Sequence, residues 1–168
     1  MLDNNFPILI IVTHMLACNN RQQINAMTDR RIQRFGDMCR ELNIPLTPQK
    51  MEIFKYLAST IRHPTAQEIF EAMQKRFPNI AFSTVYKNLT KFKEMGLVRE
   101  LPMKDGSSSR FDANMENHHH IVNLDTDEII DLDPAEMGEI CLPESLEKYQ
   151  LEKISIKFYV RNMPEKKE

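Results

Sequence analysis

The strongest constraint on this chain is a change of period. From Arg30 to Gly96 apolar residues recur at helical spacing in four short runs, whereas after Asp112 they alternate with polar ones. A run patterned at 3.6 residues per turn cannot present one apolar face as a strand, nor the reverse, so helices must come first and sheet second. In "DRRIQRFGDMCRELN", Ile32, Phe35, Cys39 and Leu42 form a stripe with arginines opposite. "PLTPQKMEIFKYLAST" opens with Thr47 as a cap and Pro48 at the first helical position, and its stripe is Met51, Phe54, Tyr56 and Leu57. "HPTAQEIFEAMQKRFP" carries a capping box, Thr65 with Glu68, followed by Ile69, Phe70, Met73 and Phe77. "FSTVYKNLTKFKEMG" is capped by Ser83, buries Val85, Leu89 and Phe92, and stops at Gly96.

Next, "LVREL" and "RFDA" flank the turn "PMKDGSSS" and pair as a hairpin. Helices followed by a two-stranded wing are the plan of a winged helix-turn-helix, whose last helix enters the major groove. That helix presents Ser83, Thr84, Tyr86, Lys87, Asn88, Lys91 and Lys93, a mixture of phosphate binders and base readers. An ordinary lysine-rich solvent face would look similar; Lys104 and Arg110 around the wing turn favour DNA. Charge agrees with this division. The net −2 conceals 15 basic against 9 acidic residues over 27–111, then 6 against 14 over 112–168.

Beyond Asp112, "HHHIVNL" and "EIIDLD" flank "DTD" as a second hairpin, and "PESLEKYQ" reads as a short helix with Pro143 near its start. "KISIKFYV" alternates, with Ile154, Ile156, Phe158 and Val160 on one face. Fewer than 60 residues make a thin core, and a second copy of the chain would supply the missing burial. The expected fold is therefore α+β, with a winged helix-turn-helix domain over 27–111 and a small α/β dimerisation domain over 112–168. Residues 1–26 are expected to be a non-native or disordered extension. Their apolar run, Phe6 to Val12, is too short to span a bilayer and lacks the basic flank of a signal peptide. Cys18, Cys39 and Cys141 offer neither a disulfide framework nor a C-x-x-C pair, which suits the cytoplasm, and Cys39 and Cys141 are expected to be buried.

The three histidines His118, His119 and His120 stand at the start of the alternating region. On a strand His118 and His120 share a face and can chelate one ion, while His119 points away. A polar surface loop is the competing explanation.

Together "LTPQKMEIFKYL", "HPTAQEIF", "FPNIAFSTVYKNLTKFKEMGLV" and "SSRFD" followed by H-x-H resemble the ferric uptake regulator family, from about Arg30 to Asp133. The likeness is strongest to its peroxide-sensing PerR branch. The resemblance implies a dimeric, metal-dependent repressor that binds an inverted-repeat operator. It also implies a regulatory metal held by His63 of "HPTA", Asp112 of "SRFD", His118, His120 and Asp131, with His63 and His118 as the oxidation-sensitive rings. Three imidazoles and two carboxylates without a thiolate suit Fe²⁺ or Mn²⁺. Asp131 stands where iron-uptake regulators typically have glutamate, which favours the peroxide branch; the alternative is an iron- or manganese-level sensor without peroxide chemistry.

One departure is large. Relatives commonly hold a structural zinc with two C-x-x-C pairs, but the first pair's positions here are Asn123 and Thr126, and "YVRNMPEKK" has no cysteine. No structural zinc is expected. A metalloenzyme using the same ligands is disfavoured, because five protein donors leave little room for a substrate.

Overall fold

A computed structural model describes residues 21–103, 106–138 and 140–163. The expectations for residues 1–20, including Cys18, and for Lys104 in the wing turn lie outside the described residues. The chain divides into two compact units, one reaching Ser59 and one beginning at Thr60.

The first unit contains α1 (Arg21–Glu41) and α2 (Pro48–Ser59). α1 runs through the expected start at Met27 without a break, so residues 21–26 continue a helix rather than stand apart from it. The two helices pack through Phe35 and Phe54, whose rings stack 4.3 Å apart, and Thr28 Oγ1 donates to the Ala58 carbonyl at 3.2 Å. Two expected stripe residues fall elsewhere. Leu42 is 54% exposed, because α1 has ended and the backbone turns through Asn43 at φ 50°. On α2 the buried face is Ile53, Phe54, Leu57 and Ala58, which leaves Tyr56 on its flank, half-buried. Thr47 caps α2 as expected, accepting from the Lys50 N–H at 3.3 Å.

The second unit contains α3 (Ala66–Gln74), α4 (Phe82–Glu94), a hairpin of β1 (Arg99–Leu101) and β2 (Arg110–Asp112), and a three-stranded sheet. α3 begins at the expected capping box, with the Glu68 N–H on Thr65 Oγ1 and the Thr65 N–H on Glu68 Oε2. Thr65→Ala should lower stability by about 1 kcal/mol, the usual worth of such a cap; a chemical-denaturation midpoint equal to the parent's would contradict this.

α4 buries Val85, Leu89 and Phe92, as its spacing requires. Ser83 does not cap it. The helix starts at Phe82, after Ala81 and without a side-chain cap, and the Phe82 ring meets Phe70 edge-on at 5.6 Å. At the other end Gly96 takes φ 65°, its N–H reaches the Lys93 carbonyl and the Leu97 N–H reaches the Phe92 carbonyl, a paired stop that favours glycine.

The sheet orders its strands β4 (Ile129–Leu132), β3 (His119–Asn123) and β5 (Lys157–Val160), with β3 antiparallel to β4 and parallel to β5. Leu101, Val122 and Ile129 make a small core beside Met103. The segment expected as a short helix contains only a single 3₁₀ turn, Glu144–Leu146, which buries no side chain. Short helices need a packed face to persist, and this one has none. Cys141 lies in the same irregular stretch and is exposed, contrary to expectation, whereas Cys39 is buried. β5 is shorter than its pattern suggests. Ile154 and Ile156 precede it half-buried, and Phe158 is 40% exposed, as befits an edge strand with a neighbour on one side only.

Candidate metal centre

The five expected ligands come from four separate places in the second unit. His63 lies just before α3 at φ 48°, in the left-handed region that costs most residues free energy unless neighbours hold it. The holding groups are visible. Arg110 Nη1 donates to the His63 carbonyl at 3.2 Å, the Phe111 N–H donates to the Pro64 carbonyl at 2.9 Å, and Thr65 bridges to Arg110. β2 thus backs the loop carrying His63 and ends on Asp112 beside it. His118 immediately precedes β3, and the β3–β4 register sets His120 opposite Asp131.

Their donor atoms converge. His118 Nε2 and His120 Nε2 are 3.0 Å apart. Asp112 Oδ2 lies 3.2 Å from His118 Nε2 and 3.9 Å from His120 Nε2. Asp131 Oδ1 lies 2.8, 3.5 and 3.7 Å from the Nε2 atoms of His63, His118 and His120. Ligands about 2.1 Å from one ion stand roughly 3.0 Å apart at right angles and roughly 4.2 Å apart when opposed. The observed separations, from 2.8 to 3.9 Å, lie close to the shorter part of that interval. His63, Asp112, His118 and His120 are buried, and Asp131 is partly exposed.

Two carboxylate oxygens in this cluster, Asp112 Oδ2 and Asp131 Oδ1, are buried and meet only ring nitrogens, without a well-aligned hydrogen bond. Buried anionic oxygens are costly in that condition, and a cation at the common focus would relieve both. His118 is already set for such a role. Its Nδ1 donates to the Glu116 carbonyl at 2.9 Å, which leaves the Nε2 lone pair facing inward. Burial disfavours charge on His118, but the Asp112 and Asp131 carboxylates outweigh it and raise its pKa. Burial and the neighbouring His118 charge push His120 down to about 4. Burial alone would raise Asp131; the His63 and His118 rings beside it bring it to about 2. The cluster is thus a carboxylate pair among imidazoles, negative at its focus and fit for a divalent cation.

His119 faces away, buried, and accepts from the Ile156 N–H at 3.4 Å. Sequence reasoning passed over Asn114 and Glu116, which bond to the expected ligands Asp112, Asp131 and His118; the only available signal was their place between Asp112 and His118.

On α4, Ser83, Tyr86, Lys87, Lys91 and Lys93 are exposed, while Thr84 and Asn88 are half-buried and joined through Asn88 Nδ2 to the Thr84 carbonyl. Lys91 pairs with Glu94 at 2.9 Å, and Lys93 pairs with Glu100. Among the described residues, no helix is long and apolar enough to cross a membrane.

Residues 41–161 match the model of the Ferric uptake regulator family. A peroxide-responsive repressor PerR from Staphylococcus aureus is 46% identical over 101 residues, which are 60% of this chain and 68% of that protein. The Campylobacter jejuni peroxide stress regulator has a similar structure, with a TM-score of 0.60 and 30% identity over 77% of this chain and 96% of that one. The structure of the ferric uptake regulator from Pseudomonas aeruginosa with manganese gives 0.61 and 27%, over 77% and 98%.

Proposed function

The chain belongs to the ferric uptake regulator family, and from that premise we propose that it is a peroxide-sensing repressor of transcription, active in the cytoplasm as a homodimer on an inverted-repeat operator. It is a metal-dependent regulator of the α+β, winged-helix type that this family shares; no turnover of a substrate is assigned to it. The observation that carries the reading is the convergence of three Nε2 atoms and two buried carboxylate oxygens from separated segments.

In this reading His63, Asp112, His118, His120 and Asp131 hold one Fe²⁺ or Mn²⁺ per chain. The thiolate-free donor set suits those ions. Bound Fe²⁺ would supply the electron that peroxide chemistry needs. His63 and His118 are the rings that take up oxygen, and His63 is the ligand preceding the helices that meet DNA. Metal-level sensing without peroxide chemistry is the second reading, supported by the same donor set and by the relative solved with manganese. Metal analysis after dialysis checks the first step: about one Fe²⁺ or Mn²⁺ per chain is expected, and none of it in His118→Ala.

Residues 27–111 are assigned to DNA contact and 112–168 to sensing and dimerisation. Exposed Tyr86 reads bases with Ser83, Thr84 and Asn88, and Lys87, Lys91 and Lys93 hold phosphates. The Lys91–Glu94 pair on α4 is exposed and hence weak, so a phosphate can replace its carboxylate, and Lys93 is exposed beside the half-buried Glu100 of β1. Lys91→Ala should weaken binding to all sequences about equally and flatten the salt dependence, whereas Tyr86→Ala should relax specificity. Fluorescence anisotropy against salt, on operator and scrambled duplexes, separates these outcomes; parental behaviour in both variants would move the recognition surface elsewhere.

For the dimer, the β5 edge offers Phe158 and Tyr159, both exposed in the single chain. No tightly held zinc is assigned. Asn123 instead donates to Asn162 Oδ1 at 2.9 Å, and Asp125 accepts from Arg161 at 2.7 Å and from the Asn162 N–H at 2.8 Å, joining the β3–β4 turn to the chain beyond β5. Stoichiometric zinc that survives strong chelation would contradict this assignment.

A further inference from the structure

The two carboxylates of the cluster are not free rotors. Asp112 Oδ1 accepts from the Asn114 backbone N–H at 2.6 Å, and Asp131 Oδ2 accepts from Asn114 Nδ2 at 3.2 Å. The remaining amide atom, Asn114 Oδ1, accepts from the Glu116 N–H at 3.3 Å, and the Glu116 carbonyl in turn accepts from His118 Nδ1. Every polar atom on that side chain is therefore committed, and each bond ends on a ligand or on the residue that orients one. The oxygens that Asn114 occupies are the partners of the two left bare, Asp112 Oδ2 and Asp131 Oδ1.

We propose that Asn114 is a positioning residue that presents Asp112 and Asp131 to the ion through one oxygen each, and so sets which metals the site accepts. The proposal rests on the five-residue metal site described above. The amide orientation is fixed by its surroundings, because the carboxylate of Asp131 needs a donor and the Glu116 N–H needs an acceptor. No other side chain of this size supplies both. Aspartate would set a third carboxylate against Asp131, and leucine would supply neither bond. With each carboxylate held to one oxygen, the protein offers five donors and leaves one octahedral position open, an arrangement suited to Mn²⁺ and Fe²⁺. Zn²⁺ is content with four. Three imidazoles and Asp112 would still provide four donors if Asp131 swung free. Loss of the Asn114 side chain should therefore fall on the five- and six-coordinate ions rather than on zinc.

The test compares the parent chain with Asn114→Leu, and with Asn114→Ala as a smaller second variant. Metal-free thermal unfolding first establishes that each is folded. Titrations with Mn²⁺ and Zn²⁺ then give affinities, and the visible spectrum of bound Co²⁺ reports coordination number, since four-coordinate Co²⁺ absorbs far more strongly. We expect Mn²⁺ affinity to fall about 10- to 100-fold, the usual effect of removing a residue that orients a ligand. Zn²⁺ affinity should change much less, and the Co²⁺ bands should intensify. Parental Mn²⁺ affinity and spectrum in a folded variant would overturn the proposal, and so would equal losses for Mn²⁺ and Zn²⁺. If the parent itself takes up neither Mn²⁺ nor Co²⁺, the metal-site reading fails instead, and this proposal with it.

Discussion

His63→Ala should abolish metal-dependent operator binding while leaving a chain that folds and dimerises. His63 is the proposed ligand that comes from before α3; the other proposed ligands come from the end of β2 and from the β3–β4 hairpin. An ion can favour one arrangement of those segments only by binding that arrangement more tightly. A hundredfold preference is worth about 2.7 kcal/mol, enough to make a minor conformation the major one. Without His63 the hairpin ligands still bind metal weakly, but the helices no longer share in it. The loss in operator affinity with metal present should approach that same hundredfold. Alanine also tolerates φ 48° less readily than histidine does, so circular dichroism and sedimentation must show a parental fold and dimer. Full metal-dependent binding by the folded variant would exclude His63 from the switch.

A brief peroxide pulse on the Fe²⁺-loaded protein should add one oxygen atom to His63 or His118 and reduce operator binding to the metal-free level. The same pulse on the Mn²⁺-loaded protein should do neither, because Mn²⁺ does not readily give up an electron to peroxide. Both rings turn Nε2 toward the focus of the cluster, beside Asp131 Oδ1 at 2.8 and 3.5 Å. Asp131→Glu adds a methylene to a carboxylate whose second oxygen is held by Asn114. It should keep metal-dependent binding and blunt the peroxide response. Peptide mass spectrometry paired with a DNA-binding assay distinguishes the readings. An Fe²⁺ form that keeps both its operator and its unmodified histidines would establish metal-level sensing.

Much of this was legible in the residues, for reasons that differ along the chain. The capping box at Thr65, the stripe on α4 and the stop at Gly96 are local devices, each fixed by a few neighbouring residues, and they fall where the pattern puts them. Stripe edges were less reliable. Leu42 lies one residue beyond α1, and the buried face of α2 is centred on Ile53 and Phe54, shifts of a fraction of a turn that spacing alone does not resolve. The 143–150 segment had helical composition but no partner face, which sequence cannot reveal. The H-x-H pair was readable from strand alternation, though His118 proves to stand just before β3. His63, Asp112 and Asp131 came only from family resemblance, since a contact such as that between His63 and Asp131 spans 68 positions and leaves no periodic trace. Asn114 was missed altogether: its role is visible only once both carboxylates are placed.

Anomalous diffraction at the manganese edge, from crystals grown with Mn²⁺ under chelation of other metals, would locate the ion itself. One peak per chain is expected in this cluster, about 2.0–2.3 Å from Nε2 of His63, His118 and His120 and from Asp112 Oδ2 and Asp131 Oδ1. A peak outside the cluster, or one contacting only the hairpin ligands with His63 turned away, would contradict this arrangement.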